Sequence, residues 1–408
     1  MKRITTTLFS LLIASSLLVI SCAKESSIDD SITTKTSQEE TTPKPCIIGQ
    51  MEVNGQLVDH VGDVLTEADI AAAEMATKAD QKYTIPIVFH VFGKTQGSSG
   101  TLNAARFEKA LKWINNDYNG ISNPKDKENW NTINSERKNF SSTLNIEFVM
   151  AKFDEKGEAL VKGTKYNGGT IESNDAAVLI YSTSQAANKI GLGNWSANTQ
   201  ISKISWDNKM YMNVYITHDL YANGGTNSSG VSWYPDIKMT KAGTARVVYN
   251  GEYLPGGKYW DPDFTSVITH EFGHFMYLAH PFNEQISGTF VPCKPNLKDG
   301  GTFGHYGDGV EDTPQMENSS RTANGWKKNM AYWGHGKKNC LNEIIDFGNF
   351  MNYGVYCNFT KGQVARMKAA LAGDARNTLW TAENLEKTLG IVPSSTLDER
   401  IKDLDGKL

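Results

Sequence analysis

Only five cysteines are spread through 408 residues, too few for a fold stapled together by disulfides, so a hydrophobic core has to carry the stability. An excess of one charge is lacking as well. The net charge is −4, Lys and Arg are dispersed, and no basic arm stands out, which argues against a nucleic-acid partner. Past residue 21 no apolar run is long enough to cross a bilayer, and no internal repeat is visible. Histidine is scarce, with eight in the chain, so a place where several gather carries weight.

The one strongly apolar stretch, Leu8–Ile20, follows the basic start Met1-Lys2-Arg3. It is too short to span a bilayer and suits the apolar region of an export signal. Val19-Ile20-Ser21-Cys22 resembles a bacterial lipobox, so Cys22 is expected to be lipidated and to become the new N-terminus. The alternative is a plain signal peptide with an incidental cysteine. Residues 1–21 therefore read as a lipoprotein signal peptide, and the chain is expected to be exported. A lipid anchor at the bacterial outer membrane or cell surface would be its only link to a membrane. The following AKESSIDDSITTKTSQEETTPKP is rich in Ser, Thr and acidic residues and cannot bury enough apolar surface to fold alone. It reads as a tether.

Three histidines gather in His270-Glu271-Phe272-Gly273-His274 and, six residues on, His280. A chance HExxH is expected in about one chain in a hundred of this kind, so the pentad is read as a metal motif. On a helix, positions i and i+4 share a face, which lets His270 and His274 aim at one ion with Glu271 beside them. His280 would lie about 240° around the axis from His274 if the helix continued, so the helix must end between them. A third ligand this close implies a sharp chain reversal. The alternative, a gluzincin-type arrangement, would use a distant Glu in place of His280. Three imidazoles around zinc leave one position for water, and Glu271 is placed to accept that water's proton and return it to the leaving nitrogen.

HEFGHFMYLAH at 270–280, GDGVEDTP at 307–314 and NFMNYGVYCNFTKGQVARM at 349–367 together resemble the metzincin metallopeptidases, specifically the ulilysin-like bacterial branch of the pappalysin family. Fainter likeness begins at IPIVFHVF, 85–92. The resemblance implies an α+β fold of two subdomains: a twisted mixed sheet with helices above a cleft, up to about residue 280, and a loop-rich lower half. It divides the chain into 22–78 as tether and pro-segment, 79–385 as metallopeptidase catalytic domain, and 386–408 as a C-terminal tail of no assigned function. It implies Zn2+ as catalytic cofactor on His270, His274 and His280, with proteins or peptides as substrates of a monomeric enzyme. Met351 corresponds to the family's Met-turn under the metal, and Tyr353 to the hydroxyl that approaches the developing oxyanion. Where metzincins usually carry Gly, this chain has Tyr277, and a non-glycine residue at φ > 0 costs roughly 1–2 kcal/mol.

Other implications of the resemblance stay open. Asp308, Asp312 and Thr313 offer hard oxygens for a structural Ca2+, or form an ordinary turn. Cys293 and Cys340 correspond in order to one family disulfide. Cys357 matches a second whose partner is missing near Ser319 and Ser320, and is expected to be unpaired. Cys46, in KPCIIGQME, loosely resembles a pro-segment cysteine that fills the open zinc position and keeps the precursor latent, and a Cys46–Cys357 disulfide is the alternative. Basic-specific relatives carry an acidic residue where this chain has Gly354-Val355-Tyr356, so an apolar S1′ pocket is the expectation here.

The periodicity predicts a buried strand at Ile85–Phe92, a helix over Ala104–Asn116 and strands at Leu144–Lys152 and Lys209–Ile216. A metal-binding helix is predicted at about 263–278 and another beginning near Lys361. DIAAAEMAT, 69–77, predicts a short helix before a polar hinge at Lys78-Ala79-Asp80, where the pro-segment would be removed. His305 and His335 read as loop residues, and Trp195, Trp206 and Trp233 as core or cleft lining. A different class of function, a surface-binding lipoprotein (an adhesin or glycan-capturing module) with a non-catalytic zinc site, is disfavoured by Glu271, since a structural site needs no general base.

Overall fold

The computed structural model describes residues 47–77, 81–93, 102–121, 142–259, 267–282, 307–315, 339, 341–344, 346, 348–352 and 358–391, all within one compact unit, Thr41–Leu408. Cys22, Cys46, Cys293, Cys340, Cys357, Tyr353, His305, His335 and the tail from 392 lie outside these residues, as does the stretch 354–356.

Strand β4 (Tyr83–Phe92) is the axis of the fold, and every residue in it is buried. Its side chains alternate between two apolar clusters, as the two-residue period of a strand requires. Ile85, Ile87, Phe89 and Val91 face one cluster, while Val88 and Phe92 face the other. On one edge β4 pairs in parallel with β9 (Met212–Thr217). On the other it pairs first with β5 (Ile146–Met150) and then with β8 (Ala176–Tyr181), both parallel.

Outward from β8 run the antiparallel β7 (Gly169–Ser173) and β6 (Lys165–Tyr166). Beyond β9 come the parallel β11 (Val247–Asn250) and the antiparallel β10 (Gly230–Ser232). The sheet is mixed, with order β10-β11-β9-β4-β8-β7-β6 and β5 set off that path. Its last member, β1 (Ile47–Ile48), joins β10 in parallel. A separate hairpin is formed by β2 (Gln50–Val53) and β3 (Gln56–Asp59).

Helix α1 (Glu67–Ala76) starts in a capping box between Thr66 and Asp69. Helix α2 (Ala104–Tyr118) covers the first cluster with Phe107, Leu111 and Ile114. Short helices α3 (Ala186–Ile190), α4 (Asn198–Ile201) and α5 (Ile237–Lys241) follow, then α6 (Val267–Phe275) with the HExxH pentad. Helices α7 (Lys361–Ala372) and α8 (Ala382–Leu389) close the described chain. Tyr118 and Asp117 at the end of α2 fix α6 directly: the tyrosine hydroxyl donates to Thr269 O at 2.9 Å, and Thr269 Oγ1 donates to Asp117 Oδ2 at 2.6 Å.

The α+β architecture and the mixed sheet agree with the sequence reading. Trp206 and Trp233 are core residues, whereas Trp195 lines an open groove with Gln50, Leu57 and Tyr221. Among the described residues no helix is long and apolar enough to cross a membrane.

Candidate metal centre

Helix α6 ends at Phe275 because its C-terminal turn closes on itself. Tyr277 N donates to His274 O and Leu278 N to Gly273 O, each at 3.0 Å, the paired bonds of a Schellman cap. That cap needs a left-handed residue, and Tyr277 takes the position with φ 71°. The backbone strain is offset by packing: the Tyr277 ring is buried, meets Tyr234 edge-on at 5.3 Å and shares a cluster with Ala279, Ala370 and Leu65. Past the cap the chain reverses and carries His280 back to the helix. The required break between His274 and His280 is therefore present.

The reversal brings three ring nitrogens together. Nε2 of His270 lies 3.0 Å from that of His280 and 3.1 Å from that of His274, and the last two are 3.2 Å apart. Zinc bonds of about 2.0–2.1 Å in tetrahedral geometry would hold such nitrogens roughly 3.3 Å apart. Hydrogen bonding between the rings of His270 and His274 does not explain their approach. Nδ1 of His270 faces Phe350 O at 2.8 Å and Nδ1 of His274 faces Leu278 O at 2.6 Å. A carbonyl only accepts, so both Nδ1 atoms carry the proton, and the neutral rings present bare Nε2 lone pairs to each other. Burial, and then the neighbouring histidines, push the pKa values of His270 and His274 well below the usual range. Lone pairs converging in a buried site fit a shared cation, and these are the only three His, Cys, Asp or Glu residues so grouped among the described ones.

Glu271 is fully buried next to the triad. It fits because β10 presents a glycine to it: Gly230 has no side chain where the carboxylate lies. Met351 is also fully buried, and its sulfur packs against Gly273 of α6, beneath the pentad. The ring of Tyr234 meets His274 edge-on at 6.0 Å, and Phe282 stacks on His280 at 4.6 Å.

Asp308, Asp312 and Thr313 serve the packing of α7 instead of gathering as a cation site. Asp308 Oδ1 accepts from Val310 N and Oδ2 from Gln363 Nε2. Asp312 Oδ2 accepts from Gly362 N at 2.9 Å, and Thr313 Oγ1 lies 3.2 Å from Thr360 Oγ1. Burial pushes Asp308 up to about 7, against the pull of Arg366. The expectation of calcium finds no support among the described residues, where hydrogen bonds within the fold take up both carboxylate oxygens of Asp308 and one of Asp312.

The 47–77 segment lies against this region. Beyond the β1–β10 pairing, Gly49 N donates to Ser232 O at 2.8 Å and Trp233 Nε1 to Gln50 O at 3.1 Å. His60 Nε2 meets Asp236 Oδ2 at 3.1 Å, and Ile237 N donates to Asp63 Oδ2 at 2.7 Å. The hydrogen bond with His60 is the largest influence holding the Asp236 carboxyl down to about 2. Helix α1 packs on α7. Sequence reasoning missed Gly230, Tyr234 and the His60–Asp236 pair, since nothing in their local pattern marks them.

Residues 196–372 match the family model Peptidase_M43, described as pregnancy-associated plasma protein-A. An extracellular metalloprotease of Arthroderma benhamiae is 23% identical over 306 residues, spanning 73% of this chain and 75% of that protein. One of Trichophyton verrucosum gives the same figures. Among solved structures, mature mirolysin of Tannerella forsythia in complex with a cleaved peptide superposes with a TM-score of 0.52 at 19% identity, covering 75% of this chain and 98% of that one. A promirolysin mutant from the same organism gives 0.51 at 20% identity, covering 76% and 88%. These last two show a shared fold.

Proposed function

We propose that this chain, whose residues 196–372 match the pappalysin family model, is an exported zinc endopeptidase made as a latent precursor, with His270, His274 and His280 as metal ligands and Glu271 as general base. The observation that carries this reading is the convergence of three Nε2 atoms within 3.0–3.2 Å of one another beside a buried carboxylate. Zinc held by these rings would supply a Lewis acid to polarise the scissile carbonyl and to lower the pKa of a water bound beside Glu271. Glu271 accepts the proton released as the water attacks and delivers it to the amide nitrogen as the C–N bond breaks. Phe350 and Leu278 hold two rings in the tautomer that leaves Nε2 open. Met351 packs under α6, and Tyr353 is assigned the hydroxyl that steadies the oxyanion.

Latency is supported by the docking of residues 47–77. Strand β10 would otherwise be a sheet edge beside Glu271, suited to adding an extended substrate by backbone hydrogen bonds, and β1 occupies it. Cutting near 78–80 would free that edge, with Cys46 as the candidate zinc-blocking thiol ahead of β1. Cys22 is assigned the lipid that holds the precursor to the membrane, which release of the segment would sever. Protein or peptide chains with an apolar residue after the cut are the proposed substrates of a monomeric enzyme. The test is cleavage of a denatured protein by the processed chain. Activity abolished by a chelator and restored by zinc supports the reading; activity indifferent to chelation refutes it.

A further inference from the structure

Behind the metal centre, where α7 begins, two buried amides face each other. Asn349 Nδ2 donates to Gln363 Oε1 at 2.8 Å, and Gln363 Nε2 donates back to Asn349 Oδ1 at 3.1 Å. Every hydrogen-bonding position of both side chains is used. Gln363 also accepts from Thr360 N at 3.1 Å and donates to Asp308 Oδ2 at 2.9 Å. Asn349 also donates to Asp346 Oδ2 at 2.9 Å and accepts from Met351 N at 2.9 Å.

The last of these bonds reaches the metal centre. Met351 N–H and Phe350 C=O belong to one planar peptide unit, so fixing the direction of the N–H fixes that of the carbonyl. That carbonyl accepts from His270 Nδ1 at 2.8 Å. The Asn349 amide could present either its oxygen or its nitrogen to Met351 N–H. Gln363, offering one donor and one acceptor in return, permits only the orientation with Oδ1 toward Met351.

We propose that Asn349 and Gln363 are positioning residues for the metal: their reciprocal amide pair orients the Phe350–Met351 peptide, which in turn holds His270 with Nε2 toward the ion. This rests on the reading of the histidine triad as a metal site. Gln363 has a second task as the N3 residue of the α7 capping box with Thr360, so a loss of stability alone would not distinguish the two.

The experiment measures zinc affinity by chelator competition and the melting temperature of the metal-free protein for Gln363→Met, Asn349→Ala, the double variant and Thr360→Val. Outer hydrogen-bond partners of a metal ligand typically matter by 10–100-fold in affinity. About tenfold weaker zinc binding is expected for each amide variant, with the double variant no worse than either single. Thr360→Val, which removes the cap hydroxyl and spares the amide pair, should melt earlier yet bind zinc as the parent does. Should Gln363→Met not fold, Asn349→Ala leaves the capping box whole and decides the matter. Amide variants that melt earlier but bind zinc within twofold of the parent overturn the inference alone. A parent protein that takes up no zinc overturns it together with the metal-site reading.

Discussion

A β-carbon added to Gly230 would stand 2.1 Å from Oε1 of Glu271 and 2.4 Å from its Cδ. Strand β10 and the carboxylate are thus fitted to each other across a space that only hydrogen fills. Gly230→Ala should push the carboxylate off its station, lowering kcat at least tenfold while leaving zinc content near that of the parent. Steady-state kinetics with metal analysis would show this; unchanged kcat would mean that Glu271 has room to spare.

Removing the carboxylate is the sharper cut. Glu271→Ala should keep one zinc per chain, because all three imidazoles remain, and lose turnover by about 10²–10⁴-fold, the usual worth of a general base. Retained turnover would assign the proton transfer to another group.

Tyr277 sets backbone strain against packing. Tyr277→Gly relieves about 1 kcal/mol at φ 71° but removes a buried ring that contacts Tyr234 and seats Leu65. A net loss of about 2 kcal/mol is expected. Burial raises the pKa of the Tyr277 hydroxyl, partly offset by a hydrogen bond from the Leu65 backbone, so the variant also loses a tie to the 47–77 segment. Limited proteolysis of the precursor should cut that segment faster in Tyr277→Gly than in the parent.

The acid side of the stability profile should carry the signature of His90. This ring is fully buried, stacked on Tyr215 and bonded to Asn213 Oδ1 at 2.8 Å, and burial pushes it down to about 4. The unfolded chain takes up the proton at about 6.5 and the folded chain does so only near 4, so the unfolded state holds more protons between these values. Stability therefore falls as pH drops from 6.5 to 4, by up to about 3 kcal/mol from this group. His90→Asn should flatten the melting temperature across that window relative to the parent. An unaltered slope would assign the acid sensitivity elsewhere.

How much of this was legible in the sequence depended on how local each cause was. Helix α6 and its histidines could be read because the i, i+4 spacing fixes geometry by itself, and the start of α7 because NFMNYGVYCNFTKGQVARM resembles a family segment that runs into a helix. The strand predicted over Leu144–Lys152 is shorter, Ile146–Met150, since its ladder with β4 ends where β8 takes over. The helix predicted over Ala104–Asn116 runs on to Tyr118 because Tyr118 and Asp117 bond Thr269. Strands β10 and β11 carry no period long enough to read and exist because of their neighbours. The partnership of Asn349 with Gln363 was invisible for the same reason: it depends on a loop meeting the first turn of α7, not on the residues between them.

The two-residue strand β1 has a further consequence. Backbone groups along an exposed sheet edge invite a second chain to add there, the first step of aggregation. While Ile47 and Ile48 keep β10 covered, two copies of the chain cannot stick to one another through that margin. In the proposed latent precursor, the same two residues that keep substrate from this margin would also guard against clumping until the segment is cut away.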